Sequence, residues 1–449
     1  MKIHGLAIAA VVLAALTGAL YWSNHHKPAD TTAASADTPP KILTLNESDI
    51  SKIDLKRKGG DEVVVAKNGS GQWQITAPQS LEADQSAVSS IVSTLSSLNS
   101  ERLVEEKAGN LNTYGLSDPA LEAAVTEKGN KTKKLLIGDD TPTGSAVYAK
   151  LNDDPRIFTI ASYNKNSIDK SSNDLRDKRL LTVNADKITK LELVAKKQDL
   201  EFGRNKDQWQ IVKPAPLRAD SSKVDDLIRT LTDAEMELGG SANSSSANSS
   251  EDAKKFTSTF ASCTPVATAK ITDESGTQKL EVCKNKDDYY AKSSIVVGVY
   301  KVPATLGQGL DKGLDDFRNK KLFDFGYSDP TKIEIHKGSK AYFLTRSGED
   351  WWSGDGKKMD ISTVQPLVDK VRDLSSSKFV DSGYSTPAIE LSVTSNDGKR
   401  LEQLLISKNG DKCVAKRENE RALYELDSKA VSELEKAAED LKLATTSSK

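Results

Sequence analysis

The sequence predicts an α+β fold: three tandem repeats of antiparallel sheet built from hairpins, each with one main amphipathic helix, following an N-terminal transmembrane helix. Three observations carry this expectation. A block of tryptophan, short extended run, aspartate and helix is written three times, beginning at Trp73, Trp209 and Trp351 with the aspartates at Asp84, Asp220 and Asp360. Counted from each aspartate, apolar residues fall at +4, +7, +8 and +11: Val88, Ile91, Val92 and Leu95, then Val224, Leu227, Ile228 and Leu231, then Val364, Leu367, Val368 and Val371. That spacing has a 3.6-residue period and marks one face of a helix. Around these helices, alternating strands separated by Gly-, Asn- and Asp-containing turns outnumber helical segments.

The first element is residues 1–24, read as a transmembrane anchor or signal. Leu6 to Trp22 is unbroken by charge, and at about 1.5 Å per residue such a run spans roughly 25 Å, near the minimum for a bilayer. A cleaved signal with Thr17-Gly18-Ala19 as its small-residue site is the alternative. The expected placement is the bacterial inner membrane, single-pass, with the body in the periplasm. Residues 25–42 form a flexible tether rich in Ala, Thr, Asp, Ser and Pro, which cannot bury enough apolar surface to order itself.

Repeat domain 1 is assigned to residues 43–183. Ile50 to Lys56 and Glu62 to Ala66 form a hairpin about Lys58-Gly59-Gly60-Asp61, the Trp73 strand follows, and Asp84 caps the helix by accepting from free first-turn amides. A second hairpin turns at Lys128-Gly129-Asn130, and the copy closes on Asp174 to Leu181, with Asp174, Arg176 and Lys178 as its polar positions. Repeat domain 2, residues 184–324, answers it 142 positions on: Asp316, Arg318 and Lys320 take the places of those three. Its insertion, 239–250, is a flexible loop by composition. Repeat domain 3, residues 325–446, lacks the closing octet and ends on a helix from Ala430 to Leu443.

Composition narrows the chemistry. With 63 Lys and Arg against 65 Asp and Glu and no long block of one sign, no nucleic-acid partner is indicated. Among four histidines only His336 lies in the body, so a histidine zinc site lacks a second imidazole and a Ser-His-Asp triad has one strand residue to draw on. Asp139-Asp140, Asp153-Asp154 and Asp287-Asp288 sit in predicted loops without the alternating spacing of a calcium loop. Gly307-Gln308-Gly309 with Gly313 has the wrong spacing for a dinucleotide turn, and the Ser-x-x-Lys matches at 162–165, 167–170 and 375–378 have no Lys-Thr-Gly partner. No cofactor, metal or catalytic residue is assigned. Cys263 and Cys283 bracket a predicted hairpin and are placed to pair across its open end, the alternative being two small apolar strand residues; Cys413 is left over.

The Trp-strand-Asp-helix block, the later Gly-x-x-x-Pro into a hairpin and the Leu-Arg-Asp-Lys-x-Leu closing element together resemble the bacterial domain of unknown function 4340 family, over Asn46 to about Leu443. The resemblance implies envelope proteins with an N-terminal anchor, some encoded beside ABC-type transporter or gliding-motility components, with no established activity and no catalytic residues to transfer.

The expectation for function is therefore a membrane-anchored, non-enzymatic interaction or scaffold module with a protein partner in the envelope, accessory to an ABC-type transport complex; self-association is also open. The alternatives are a glycan-, peptide- or lipid-binding array, which needs exposed Trp73, Trp209 and Trp351, and a hydrolase, which needs carboxylates from different copies to converge in one cleft. The repeated polar residues are read as structural joints ahead of partner contacts.

Overall fold

The computed structural model describes residues 41–205, 208–238, 250–395 and 398–445. Its framework is three antiparallel sheets. The first contains β1 (Ile50–Arg57), β2 (Glu62–Lys67), β3 (Trp73–Ala77), β4 (Leu81–Glu82), β5 (Arg102–Glu105), β6 (Leu121–Glu127), β7 (Lys131–Asp140), β8 (Ala146–Leu151) and β9 (Ile157–Ala161), in the order β4-β3-β2-β1-β6-β7-β8-β9-β5. The second contains β10 (Lys190–Ala195), β11 (Gln198–Asn205), β12 (Gln208–Lys213), β13 (Leu217–Arg218), β14 (Thr264–Asp273), β15 (Gly276–Asn285), β16 (Asp288–Ser293) and β17 (Val299–Val302), ordered β13-β12-β11-β10-β14-β15-β16-β17. The third contains β18 (Lys332–Lys337), β19 (Lys340–Ser347), β20 (Asp350–Ser353), β21 (Lys378–Val380), β22 (Ile389–Ser395), β23 (Arg400–Asn409), β24 (Lys412–Arg417) and β25 (Leu423–Leu426), ordered β20-β19-β18-β22-β23-β24-β25-β21.

The three orders share one rule. The chain meanders to one edge, crosses the face in a helix, and resumes the meander beside its first strand, in the first and third sheets after adding a strand, β5 or β21, at the far edge. Register repeats with it: Ile53 lies between Val65 and Val125, Leu191 between Phe202 and Ile271, Ile333 between Leu344 and Val393. Because side chains alternate along a strand, this register puts every one of those residues on the helix-covered face.

The crossing helices are α1 (Gln85–Ser96), α4 (Ser221–Thr232) and α8 (Ile361–Asp373). Asp84 accepts from Ser86 N and Ala87 N, Asp220 from Ser222 N and Lys223 N, and Asp360 from Ser362 N. Each helix buries the four apolar residues of the repeated pattern, a contribution of about 1.5–3 kcal/mol per large side chain. Three separate apolar cores result, one per sheet.

The expectation of one main helix per copy behind a membrane helix is corrected by this architecture. Antiparallel sheet dominates, and the described helices number three, four and two around the successive sheets. The additional ones are α2 (Ser162–Ile168), α3 (Ser172–Leu175), α5 (Ser250–Ser262), α6 (Ala304–Leu310), α7 (Leu314–Phe317) and α9 (Ser428–Glu439). Four of the six are no longer than seven residues, too short for a 3.6-residue period to stand out from a loop. Among the described residues no helix is long and apolar enough to cross a membrane. The transmembrane assignment, 1–24, and most of the tether lie outside the described residues. A single membrane helix, the inner-membrane and periplasmic placement, and the envelope partner expected with it are therefore without support.

Packing divides the described chain into two compact units, 41–177 and 178–445. The first holds the first sheet, and the second holds the other two.

Candidate functional site in the second unit

Each sheet's crossing helix begins where a closing segment pairs with the residues before its cap. In the first sheet Asp84 N donates to Leu175 O (2.8 Å) and Asp177 N to Glu82 O (2.9 Å). In the second Asp220 N donates to Phe317 O (2.8 Å) and Asn319 N to Arg218 O (3.0 Å). The third sheet, without the closing octet, uses the residues after α9 instead: Asp360 N donates to Lys442 O and Ala444 N to Lys358 O, both at 2.9 Å. The latter halves of the octets pair with the next helix's far end, Met236 N donating to Lys178 O and Ser376 N to Lys320 O.

The repeated residues thus find places. Asp174 and Asp316 close capping boxes on α3 and α7, accepting from Ser171 N and Gly313 N. Arg176 is buried and bridges Ala83 through its backbone, and Arg318 bridges Ala219. Lys178 and Lys320 contribute their carbonyls. Trp73, Trp209 and Trp351 are only 5%, 4% and 1% exposed, so no face of theirs is open to a sugar. His336 is exposed on β18 with its ring edge-on to Phe343. Cys263 and Cys283 are joined by a disulfide with Cα atoms 5.8 Å apart. Cys413 is a buried free thiol whose pKa burial pushes up. Among the described residues no three His, Cys, Asp or Glu side chains are grouped to hold a metal.

The site that geometry singles out was missed from sequence. It lies where β13 of the second sheet meets the segment leading into the third. Arg218 Nη1 donates to Asp324 Oδ2 at 2.6 Å and Nη2 to Lys321 O at 2.6 Å. Its Nε stands 2.9 Å from Glu420 Oε1, off the N–H direction, so charge rather than a hydrogen bond couples these two atoms. Asp324 also takes Arg400 Nη2 at 3.1 Å and Asn319 Nδ2 at 3.0 Å. Glu402, with only 4% of its side chain exposed, accepts from Arg417 Nη2 at 2.6 Å, and Arg417 Nη1 donates to Glu420 at 2.9 Å. Tyr424 Oη donates to Glu420 Oε2.

Three guanidinium groups therefore face three carboxylates. Burial opposes the charge on Asp324, but Arg218, Arg417 and Arg400 together outweigh it and hold its pKa below the ordinary 3.8. Burial likewise opposes the charge on Arg218, while Asp324, Tyr424 and Glu420 hold its pKa above the usual value. Burial raises the Tyr424 phenol, so it stays a proton donor. The sequence signal was faint: Glu402 and Arg417 occupy strand positions otherwise apolar by alternation, and the Arg218 and Asp324 that complete the cluster come from segments far from them in the chain.

Two clefts flank Arg218. One, of about 410 Å³, is lined by Trp209, Asp220, Lys321 and Arg372, with Tyr327, 97% exposed, at its rim. The other, of about 560 Å³, lies between β13 and the edge strand β21 and includes Leu217, Arg318, Phe379, Arg421 and Tyr424.

The sequence matches the family described as Domain of unknown function (DUF4340) over residues 73–210 and 209–399. The chain belongs to this family. No curated protein matches it. Of solved structures, it is similar to one assigned as a DNA polymerase III beta subunit from Eubacterium rectale ATCC 33656, at 10% identity and a TM-score of 0.17, covering 87% of this chain and 93% of that one. The DNA polymerase III subunit beta from Pseudomonas aeruginosa is similar at 7% identity and a TM-score of 0.15, covering 86% and 94%.

Proposed function

We propose that this member of the DUF4340 family is a non-enzymatic interaction module in which the second and third sheets form one rigid support for a protein partner. The observation that carries the reading is the closed charge balance at the junction. Arg218, Arg400 and Arg417 are matched by Asp324, Glu402 and Glu420, and each of the six is engaged by at least one other. Catalytic carboxylates need a substrate proton within reach and a pKa poised for transfer. Here the carboxylates are occupied by arginines, and Asp324 is held ionised. Such a cluster fixes the geometry of two sheets, leaving the flanking clefts as the surfaces available to a ligand.

The test is in-cell photo-crosslinking of the full chain from a diazirine residue at Ala422 in the larger cleft, with Lys286 in the β15–β16 turn as the control position. Recovered proteins are identified by mass spectrometry, purified and titrated against the chain by calorimetry. The expected result is a protein captured from position 422, not from 286, that binds saturably. Turnover of an ester, glycoside or peptide by the purified chain, abolished by Glu420→Gln, would overturn the reading; so would the failure of every captured protein to bind.

A further inference from the structure

We propose that the cleft between β13 and β21 is the recognition site for an acidic peptide segment carrying a large apolar side chain. This rests on the interaction-module reading and specifies its ligand. One wall of the cleft is apolar: Pro216 and Leu217 come from the second sheet's edge, Phe379 and Ala422 from the third sheet. The charged lining is unequal, with Arg218, Arg318 and Arg421 against Glu420 alone. Arg218 and Glu420 neutralise each other at 2.9 Å. Arg318 sits over the Phe379 ring, its guanidinium carbon 3.3 Å from the centroid, which restricts the freedom of its fork; its one carboxylate partner among the described residues, Asp315, is two-thirds exposed. Arg421 is exposed and has no ion pair among the described residues.

The residual charge is therefore positive and sits beside an apolar wall. A guanidinium fork pairs with a carboxylate in a bidentate manner, and an arginine already stacked on an aromatic ring gives up little rotamer freedom in doing so. An apolar side chain of the ligand would bury against Leu217 and Phe379 while its neighbouring carboxylates met Arg421 and Arg318. A purely anionic ligand would leave that wall wet, and a purely apolar one would desolvate Arg421 without a partner. The combination selects a peptide in which a large apolar residue is flanked by acidic ones.

The test is fluorescence anisotropy of the full chain with a labelled pentapeptide, aspartate-glutamate-leucine-phenylalanine-aspartate, at low and high salt. Controls are the same peptide with lysine at each acidic position and an eight-residue single-stranded DNA. The acidic peptide is expected to bind, to weaken as salt rises, and to lose at least tenfold in affinity in Arg421→Glu, whose exposed site leaves folding intact. Arg421→Lys should retain part of the binding. Equal binding of the lysine peptide, unchanged affinity in Arg421→Glu, or binding of the DNA in preference to the peptide would overturn the proposal. A partner captured at Ala422 that binds the purified chain while the acidic peptide does not would sink this inference and leave the interaction module standing.

Discussion

Arg218 Nη1 donates to Asp324 Oδ2 across 2.6 Å, joining the edge strand of the second sheet to the segment that enters the third. Both side chains are about four-fifths buried. Removing one partner of such a pair leaves the other charge desolvated and short of compensation. Arg218→Ala is predicted to cost about 2–4 kcal/mol in urea unfolding. Exposed Arg229, at 3.5 Å from an Asp226 that is also exposed, should cost under about 1 kcal/mol when replaced by alanine.

Acid should loosen the second unit, chiefly through Glu192. Its hydrogen bonds from Lys190 and Lys270 hold its pKa at about 2, against 4.5 when unpaired. A folded-state pKa below the unfolded one gives stability that is present above about pH 4.5 and is lost as pH falls toward 2. Asp324, also depressed, adds loss in the same direction below its ordinary 3.8. Urea midpoints measured from pH 6 to pH 2 should fall most steeply in that window, with a shallower fall in Glu192→Gln.

The Cys263–Cys283 disulfide fastens the end of α5 to β15, over a small apolar cluster of Tyr290 and Val299 with Phe256 and Phe260. With the cysteines 20 residues apart, chain-entropy loss in the unfolded state gives about 3 kcal/mol of stabilisation. Calorimetric scans with and without a dithiol reductant should differ accordingly. Thiol titration should find no reactive group in the native protein and one, Cys413, after denaturation without reductant.

Gly115 follows Tyr114 in a left-handed conformation, φ +65°, and a Cβ there would lie 2.4 Å from the Asp139 carboxylate. An L-residue meets both backbone strain and a clash at this position. Gly115→Ala should lower the melting temperature of the first unit by several degrees, and Asp139→Ala in the same chain should recover only the steric part.

The repeated helices were legible because four buried positions at +4, +7, +8 and +11 must remain apolar, and the three caps because an aspartate oxygen does the bonding. The strand hairpins were legible from alternation and turn residues. What escaped is physically of another kind. Lys442 to Ala444 replaces the closing octet in the third sheet through main-chain bonds, which leave no trace in side-chain identity. The short helices α2 and α6 carry too few residues for a period. The junction cluster joins Arg218, Asp324 and Glu402, separated by 78 to 184 positions, and a single sequence carries no information on which distant charges meet.

The decisive measurement is a double-mutant cycle on Arg218→Ala and Asp324→Ala, with urea unfolding of all four proteins. If the junction charges hold the two sheets together, the coupling energy should be about 2 kcal/mol and both single variants should lose stability. Additive losses, with coupling near zero, would contradict it: the arginines and carboxylates would then be spectators at the junction and free for other chemistry.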